Sequence, residues 1–157
     1  MPEPTTRVSA FTEFVNGVEP RLRHALVARF GPDRGRDAVA DALAYAWEHW
    51  DRVGGMTNPA GYLYRVGQHK MISALRRRHG QLPRPPDQDP PWIEPALPDC
   101  LQQLSANQRT AVLLVKGYGY TYREVAELLD VGISTVQQHV ERALGKLRSG
   151  LGVSIDA

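Results

Sequence analysis

Residues 121–147, TYREVAELLDVGISTVQQHVERALGKL, decide how this chain of 157 residues is read. Thr121-x-x-Glu124 and Ser134-x-x-Gln137 both have the form of a capping box, in which two side chains exchange hydrogen bonds with the backbone of a first helical turn. Two helix starts are thereby marked 13 residues apart. Val125, Ala126 and Leu129 make an apolar stripe on the first helix, and Val136, Val140, Leu144 and Leu147 make one on the second. Residues 130–133 remain for the turn, where Gly132 can supply a corner with positive φ. Any small helical hairpin would share the stripes. The tight turn and the polar outer face of the second helix favour a helix-turn-helix, which sets that helix into the DNA major groove.

Working outward, Ser105-x-x-Gln108 is a third capping box and predicts a helix over 106–116, ended by Gly117 and Gly119 and preceded by a short helix over 98–104. Before it, residues 80–98 hold seven prolines, at 83, 85, 86, 90, 91, 95 and 98, and no helix interior tolerates that density. This stretch reads as an extended, partly polyproline-like linker, with Trp92 and Ile93 as its apolar exception. The first half of the chain shows no strand pattern. Helices are expected over 10–18 and 20–30, broken by Gly17 and Pro20, then over 35–50 after a turn at 31–33. A loop follows over 51–57. Asn58-Pro59 then supplies a cap and a first-turn proline for a helix running to about His79. The expected fold is all-α: two small helical domains, 8–79 and 98–150, joined by a Pro-rich acidic linker over 80–97, the second domain a helix-turn-helix.

Composition narrows the function. Net charge is only +2, but its distribution is uneven: residues 1–78 hold 12 basic and 8 acidic groups, residues 79–99 hold 1 and 4, and residues 100–150 hold 6 and 4. Two mildly basic blocks flank an acidic connector, and local basic faces attract phosphates. Cys100 is the single cysteine, so an intramolecular disulfide or a thiolate cluster is excluded. His24, His49, His69, His79 and His139 show no ligand spacing, and no phosphate loop or paired-carboxylate pattern points to an enzyme. No metal and no cofactor are expected. No apolar run approaches the ~18–20 residues of a membrane span. The amino-terminal MPEPTTRVSAF lacks a signal-peptide pattern, so a cytoplasmic location without membrane insertion is expected.

The helix over 58–79 is the second informative element. Leu63, Val66, Gly67, Met71, Ala74 and Leu75 share one face, which should pack on the helix over 35–50. The other face carries Tyr64, Arg65, Gln68, His69, Ser73 and Arg76, with Tyr62 near the start and Arg76-Arg77-Arg78 at the end. Rings stack on unpaired bases and arginines neutralise phosphate, although such a face can also be merely solvated. On the preceding helix or at its end, Asp37, Asp41, Glu48 and Asp51 interleave with Val39, Leu43 and Trp47, giving either a solvated face or a protein-docking one.

Together these pieces resemble a bacterial RNA polymerase sigma factor of the extracytoplasmic-function group, sigma-70-like and of the small two-domain kind. DAVADALAYAW (37–47) is similar to the family's polymerase-binding helix, matching at Asp37, Val39, Asp41, Ala46 and Trp47. NPAGYLYRVGQHKMISALRRR (58–78) is similar to its −10 helix, matching at Asn58, Pro59, Leu63, Tyr64, Arg65 and the arginine run. Residues 101–148 are similar to its −35 domain. The resemblance implies a promoter-specificity subunit whose partners are core RNA polymerase, promoter DNA and an anti-sigma protein. It implies polymerase contacts at Asp37, Val39, Asp41, Leu43 and Trp47, and −10 contacts at Tyr62, Tyr64, Arg65, His69, Arg76 and Arg77, with the 51–57 loop as base pocket. It implies −35 contacts at Arg123, Ser134, Thr135, Gln137, Gln138, Arg142 and Lys146, and an acidic linker that threads the RNA exit path. The chain departs from the family pattern at Ala40, Ala42 and Ser73. On the reading helix Gln137, Gln138, His139 and Leu144 stand where Lys, Ser, Arg and Arg are common. The alternatives are a stand-alone helix-turn-helix regulator and a polymerase-binding adaptor without promoter recognition.

Overall fold

The computed structural model describes residues 4–77 and 96–152, and among these it contains helices and no strand. The helices are α1 (Pro4–Phe30), α2 (Pro32–Glu48), α3 (Trp50–Val53), α4 (Pro59–Arg77), α5 (Leu97–Gln102), α6 (Ala106–Val112), α7 (Tyr122–Leu129) and α8 (Ile133–Leu151). The linker expected over 80–97, with Trp92 and Ile93, lies almost wholly outside the described residues, as do Arg78 and His79.

Local chemistry explains most helix starts. Asn58 caps α4 by accepting from the Gly61 N–H at 3.2 Å. Ser105 accepts from Gln108 N at 3.1 Å while Gln108 Oε1 accepts from Ser105 N at 3.3 Å, so the capping box of α6 is closed. Thr121 and Glu124 do the same for α7, at 3.1 and 3.3 Å. Three expectations need correction. The break at Gly17 and Pro20 is absent: α1 is one helix of 27 residues with Pro20 inside it. Proline forfeits one backbone bond, at about 3 kcal/mol. Burial of Val18, Leu22, Ala25, Leu26 and Ala28 along the same helix offsets that loss. The loop expected over 51–57 is shortened, because α3 takes up Trp50–Val53 after a bend at His49.

The third correction concerns the turn before α8. Its N-cap is Gly132, at an ordinary φ of −72°, and Ser134 lies inside the helix rather than capping it. The corner with positive φ is Asp130 (55°). There α7 closes in a Schellman-like end, with Val131 N donating to Ala126 O at 3.0 Å. Aspartate is among the few side chains that tolerate this left-handed conformation. Helix α6, for its part, runs into a π segment, Leu113–Gly117, where Tyr118 N donates to Leu113 O at 2.9 Å.

One apolar cluster runs through both halves of the chain. Leu22, Leu26, Ala38, Ala42, Leu63 and Tyr64 belong to it, and so do Ala111, Leu114, Val125, Val136 and Val140. A smaller core of Cys100, Leu104, Val112, Ala143 and Leu147 ties α5 and α6 to α8. Two glycines allow helices to touch in the first half. A Cβ on Gly35 would lie 2.5 Å from the Val27 Cα, and one on Gly67 would lie 2.9 Å from Leu26 Cδ1 and 3.0 Å from Ala38 O. Helices α1, α2 and α4 therefore meet at near-backbone distance.

Candidate nucleic-acid interface

Helix α2 presents Asp37, Asp41 and Glu48 to solvent at positions that fall on one helical face, forming an acidic ridge. Leu43 is half-buried. Trp47 is 38% exposed, with the Arg7 guanidinium 4.6 Å above its ring and the Phe11 ring edge-on at 5.0 Å. Val39 is placed differently from the expected polymerase contact: it is buried in the core, so it supports the ridge from beneath.

On α4 the expected DNA face divides. His69, Arg76 and Arg77 are exposed, and with Lys70, Ser73 and Asp41 several of them rim a shallow depression. Tyr62 joins a cluster that sequence reasoning missed. Its hydroxyl is 3.0 Å from that of Tyr45, Arg52 donates to both hydroxyls, His49 stacks on Tyr45 at 4.1 Å between centroids, and Lys70 Nζ lies 5.7 Å from the Tyr45 ring. The hydrogen bond to Tyr45 raises the Tyr62 phenol above its ordinary pKa, so it remains a neutral donor or acceptor. The missed signal was helical spacing: Tyr45 on α2 and His49 at its C-cap are i and i+4, and their face is the one that meets Tyr62.

Tyr64 and Arg65 depart from the expected exposed face. Tyr64 is 4% exposed, beside Arg29 and Thr110, and burial pushes its phenol pKa up. Arg65 is exposed but forms an ion pair with Asp130 in the turn before α8. Next to it, Asn58 Nδ2 donates to Glu127 O at 2.9 Å, so one amide caps both the start of α4 and the end of α7. A Cβ on Gly61 would stand 2.6 Å from the Asn58 Nδ2 and 3.1 Å from the same Glu127 oxygen, so a larger residue there would push the Asn58 amide aside.

The second joint between the halves involves α1. Arg109 donates to Ala28 O and Arg29 O at 3.3 and 2.7 Å, satisfying carbonyls at the end of α1. His24 stacks on Tyr118 at 4.0 Å and its Nδ1 lies 2.8 Å from the Tyr120 hydroxyl. Burial first, and then the Arg23 guanidinium, hold the His24 imidazole below its ordinary value of 6.5, with Glu19 opposing. The folded state thus binds this proton less readily than the unfolded chain. Its contribution is present above the ordinary value and is lost as pH falls through it toward the lower folded value. The melting temperature of the wild type should therefore fall more steeply than that of His24→Gln between roughly pH 7 and 5. Parallel slopes in a differential scanning calorimetry series would show that the ring does not contribute.

On the helix-turn-helix, Ser134, Gln137, Gln138 and Arg142 are exposed on α8, Thr135 is half-buried, and Arg123 is exposed on α7. Lys146 differs from the free phosphate contact expected of it, since its Nζ donates to Gln108 Oε1 at 2.9 Å and ties α8 to the cap of α6. Val136 and Val140 anchor the opposite side of α8 in the core. The outer face is therefore polar, available and weakly basic.

Residues 95–147 match the family "Sigma-70, region 4". Comparison with curated protein sequences gives no match. Among solved structures, the chain is similar to the sigma factor RpoE from Bartonella quintana, crystallised in complex with the anti-sigma factor NepR. The identity is 25% and the TM-score 0.67, over 92% of this chain and 98% of that one. The described residues include no helix long and apolar enough to cross a membrane, and no group of side chains suited to hold a metal ion.

Proposed function

We infer that the chain, a sigma factor of the extracytoplasmic-function group, is a promoter-specificity subunit that binds core RNA polymerase and directs initiation through −10 and −35 recognition. The observation that carries this is the order of parts along one chain: an acidic ridge on α2, a cationic and aromatic face on α4, and a region 4 helix-turn-helix.

In this reading the carboxylates of α2 dock on a basic surface of the polymerase. The Tyr45–Tyr62 cluster with Arg52 and Lys70 then receives unpaired promoter bases. Extruding a base costs a few kcal/mol, and stacking on aromatic rings returns about 1–3 kcal/mol per base, so two rings flanked by cations offset the cost. Helix α8 enters the major groove, where Gln137 and Gln138 can each pair with adenine N6 and N7. With few cations on that face, binding by the carboxy-terminal half alone is weak and only shallowly salt-dependent. No covalent step falls to this chain; bond formation belongs to the polymerase, and the chain acts where the polymerase does, in the cytoplasm. An anti-sigma protein is a further proposed partner, supported by the complex of the similar sigma factor with an anti-sigma factor.

The test is run-off transcription from a promoter-fragment library with core polymerase, with and without this chain. Discrete new transcripts that vanish with Arg65→Glu support the reading. Core binding without new start sites identifies an adaptor, and no core binding identifies a stand-alone regulator. For the −35 half, Gln138→Ala should lower discrimination between cognate and mutated duplexes by about ten-fold, while core affinity stays unchanged. Equal losses in both assays would remove Gln138 from the reading surface.

A further inference from the structure

We propose that Glu141 is a base-reading residue of α8 that selects cytosine in the −35 duplex, one helical turn beyond the two glutamines. The assignment rests on the −35 reading above and adds to it a carboxylate with a stated preference.

The phase of α8 is fixed by its inward side, where Val136, Val140 and Ala143 are buried in the core. Gln137, Gln138 and Glu141 stand exposed on the other side. At about 100° per residue, Glu141 falls between Gln137 and Gln138 around the helix axis, at the middle of the outward face. It is i+4 from one and i+3 from the other, which sets it roughly one turn, about 5.4 Å, further along. That distance spans between one and two base-pair steps of about 3.4 Å.

Nothing inside the chain neutralises this carboxylate. The positions three and four residues away hold Gln137, Gln138, Leu144 and Gly145, none of them a cation. The ion pairs among the described residues are Arg23–Glu19 and Arg65–Asp130. Lys146, further along the helix, donates to Gln108. Glu141 also lies two turns past the start of α8 at Ile133, too far for the positive end of the helix dipole to favour it. On a face that meets a polyanion, such a group repels phosphate unless a base edge gives it a donor.

Cytosine alone offers the major groove a donor without an acceptor, its N4 amine. Guanine presents N7 and O6, and thymine presents O4 and a methyl group. Adenine sets the N7 acceptor beside its N6 donor. An ionised carboxylate only accepts, so it favours cytosine, opposes guanine and thymine, and meets adenine against a neighbouring lone pair. The two glutamine amides both donate and accept, which suits adenine. The outward face of α8 therefore reads adenine and then, one or two steps on, cytosine.

The experiment uses the full chain with core polymerase and a promoter library randomised over the −35 duplex, and sequences the templates that yield run-off transcripts. The wild type should favour cytosine at one position by about five- to twenty-fold. Glu141→Gln should move the preference at that position alone to adenine, and Glu141→Ala should abolish it there. Both replacements are good helix formers at an exposed site, so melting temperatures should match the wild type. Yields that rise by one factor on every template in Glu141→Ala, with base preferences intact, would reveal a merely repulsive surface charge and overturn the assignment. So would a wild type that favours cytosine nowhere, or a cytosine preference that both variants retain. A wild type without preference at any randomised position would remove the −35 reading and this assignment together. An adenine preference lost in Gln138→Ala, beside a cytosine preference unmoved in both Glu141 variants, would remove the assignment alone.

Discussion

Asp41→Arg is expected to lower affinity for core RNA polymerase by about 30-fold or more, because reversing one charge of a docked pair costs roughly 2–5 kcal/mol. Asp41 is exposed and lies with Asp37 and Glu48 on one face of α2, so a basic partner surface would meet all three. The variant should fold normally, since substitutions at exposed sites without partners stay within about 0.5 kcal/mol. Thermal melting would verify this, and binding of a −35 duplex should remain unaltered. Run-off transcripts should then disappear although α8 is untouched. Core affinity unchanged in a fluorescence competition assay would move the docking surface off the acidic ridge. The half-exposed Trp47, with Arg7 against it, would be the next surface to mutate.

Gly35→Ala is expected to produce the largest loss of stability. Its methyl group would lie 2.5 Å from the Val27 Cα and 2.7 Å from the Val27 nitrogen, both backbone atoms of α1 that cannot rotate aside. Helix α2 must shift, and such overpacking costs about 1–3 kcal/mol, or a fall of roughly 5–10 °C in melting temperature. Gly17→Ala is the matched control. Gly17 also lies within a helix, but nothing stands within 4 Å of a Cβ there, so the change should stabilise by about 0.5–1 kcal/mol. If calorimetry found both variants equally stable, the close crossing of α1 and α2 would be refuted.

The parts of the chain legible without its fold are those fixed by neighbours three or four residues away. The caps at Asn58, Ser105 and Thr121 are side chain-to-backbone bonds of that kind, and all three mark helix starts as expected. The apolar stripes of α7 and α8 likewise place Val125, Val136 and Val140 inward, leaving Gln137 and Gln138 outward. Where two local devices competed, the pattern misled. Ser134 looked like a cap, but the left-handed turn at Asp130 placed the start of α8 at Ile133 instead.

What tertiary structure alone decided concerns partners far apart in the chain. Pro20 stays within α1 because that helix buries one continuous face against α2 and α4, a gain that helix propensity does not contain. Tyr64 is inward because Thr110 and Arg29 stand beside it, and Arg65 is engaged because the turn 65 residues later brings Asp130 to it. The order of motifs therefore determined what kind of molecule this is. Whether Tyr64 and Arg65 stand exposed or engaged was decided by long-range packing, because that depends on contacts between residues far apart in the chain and not on the helical period of either half.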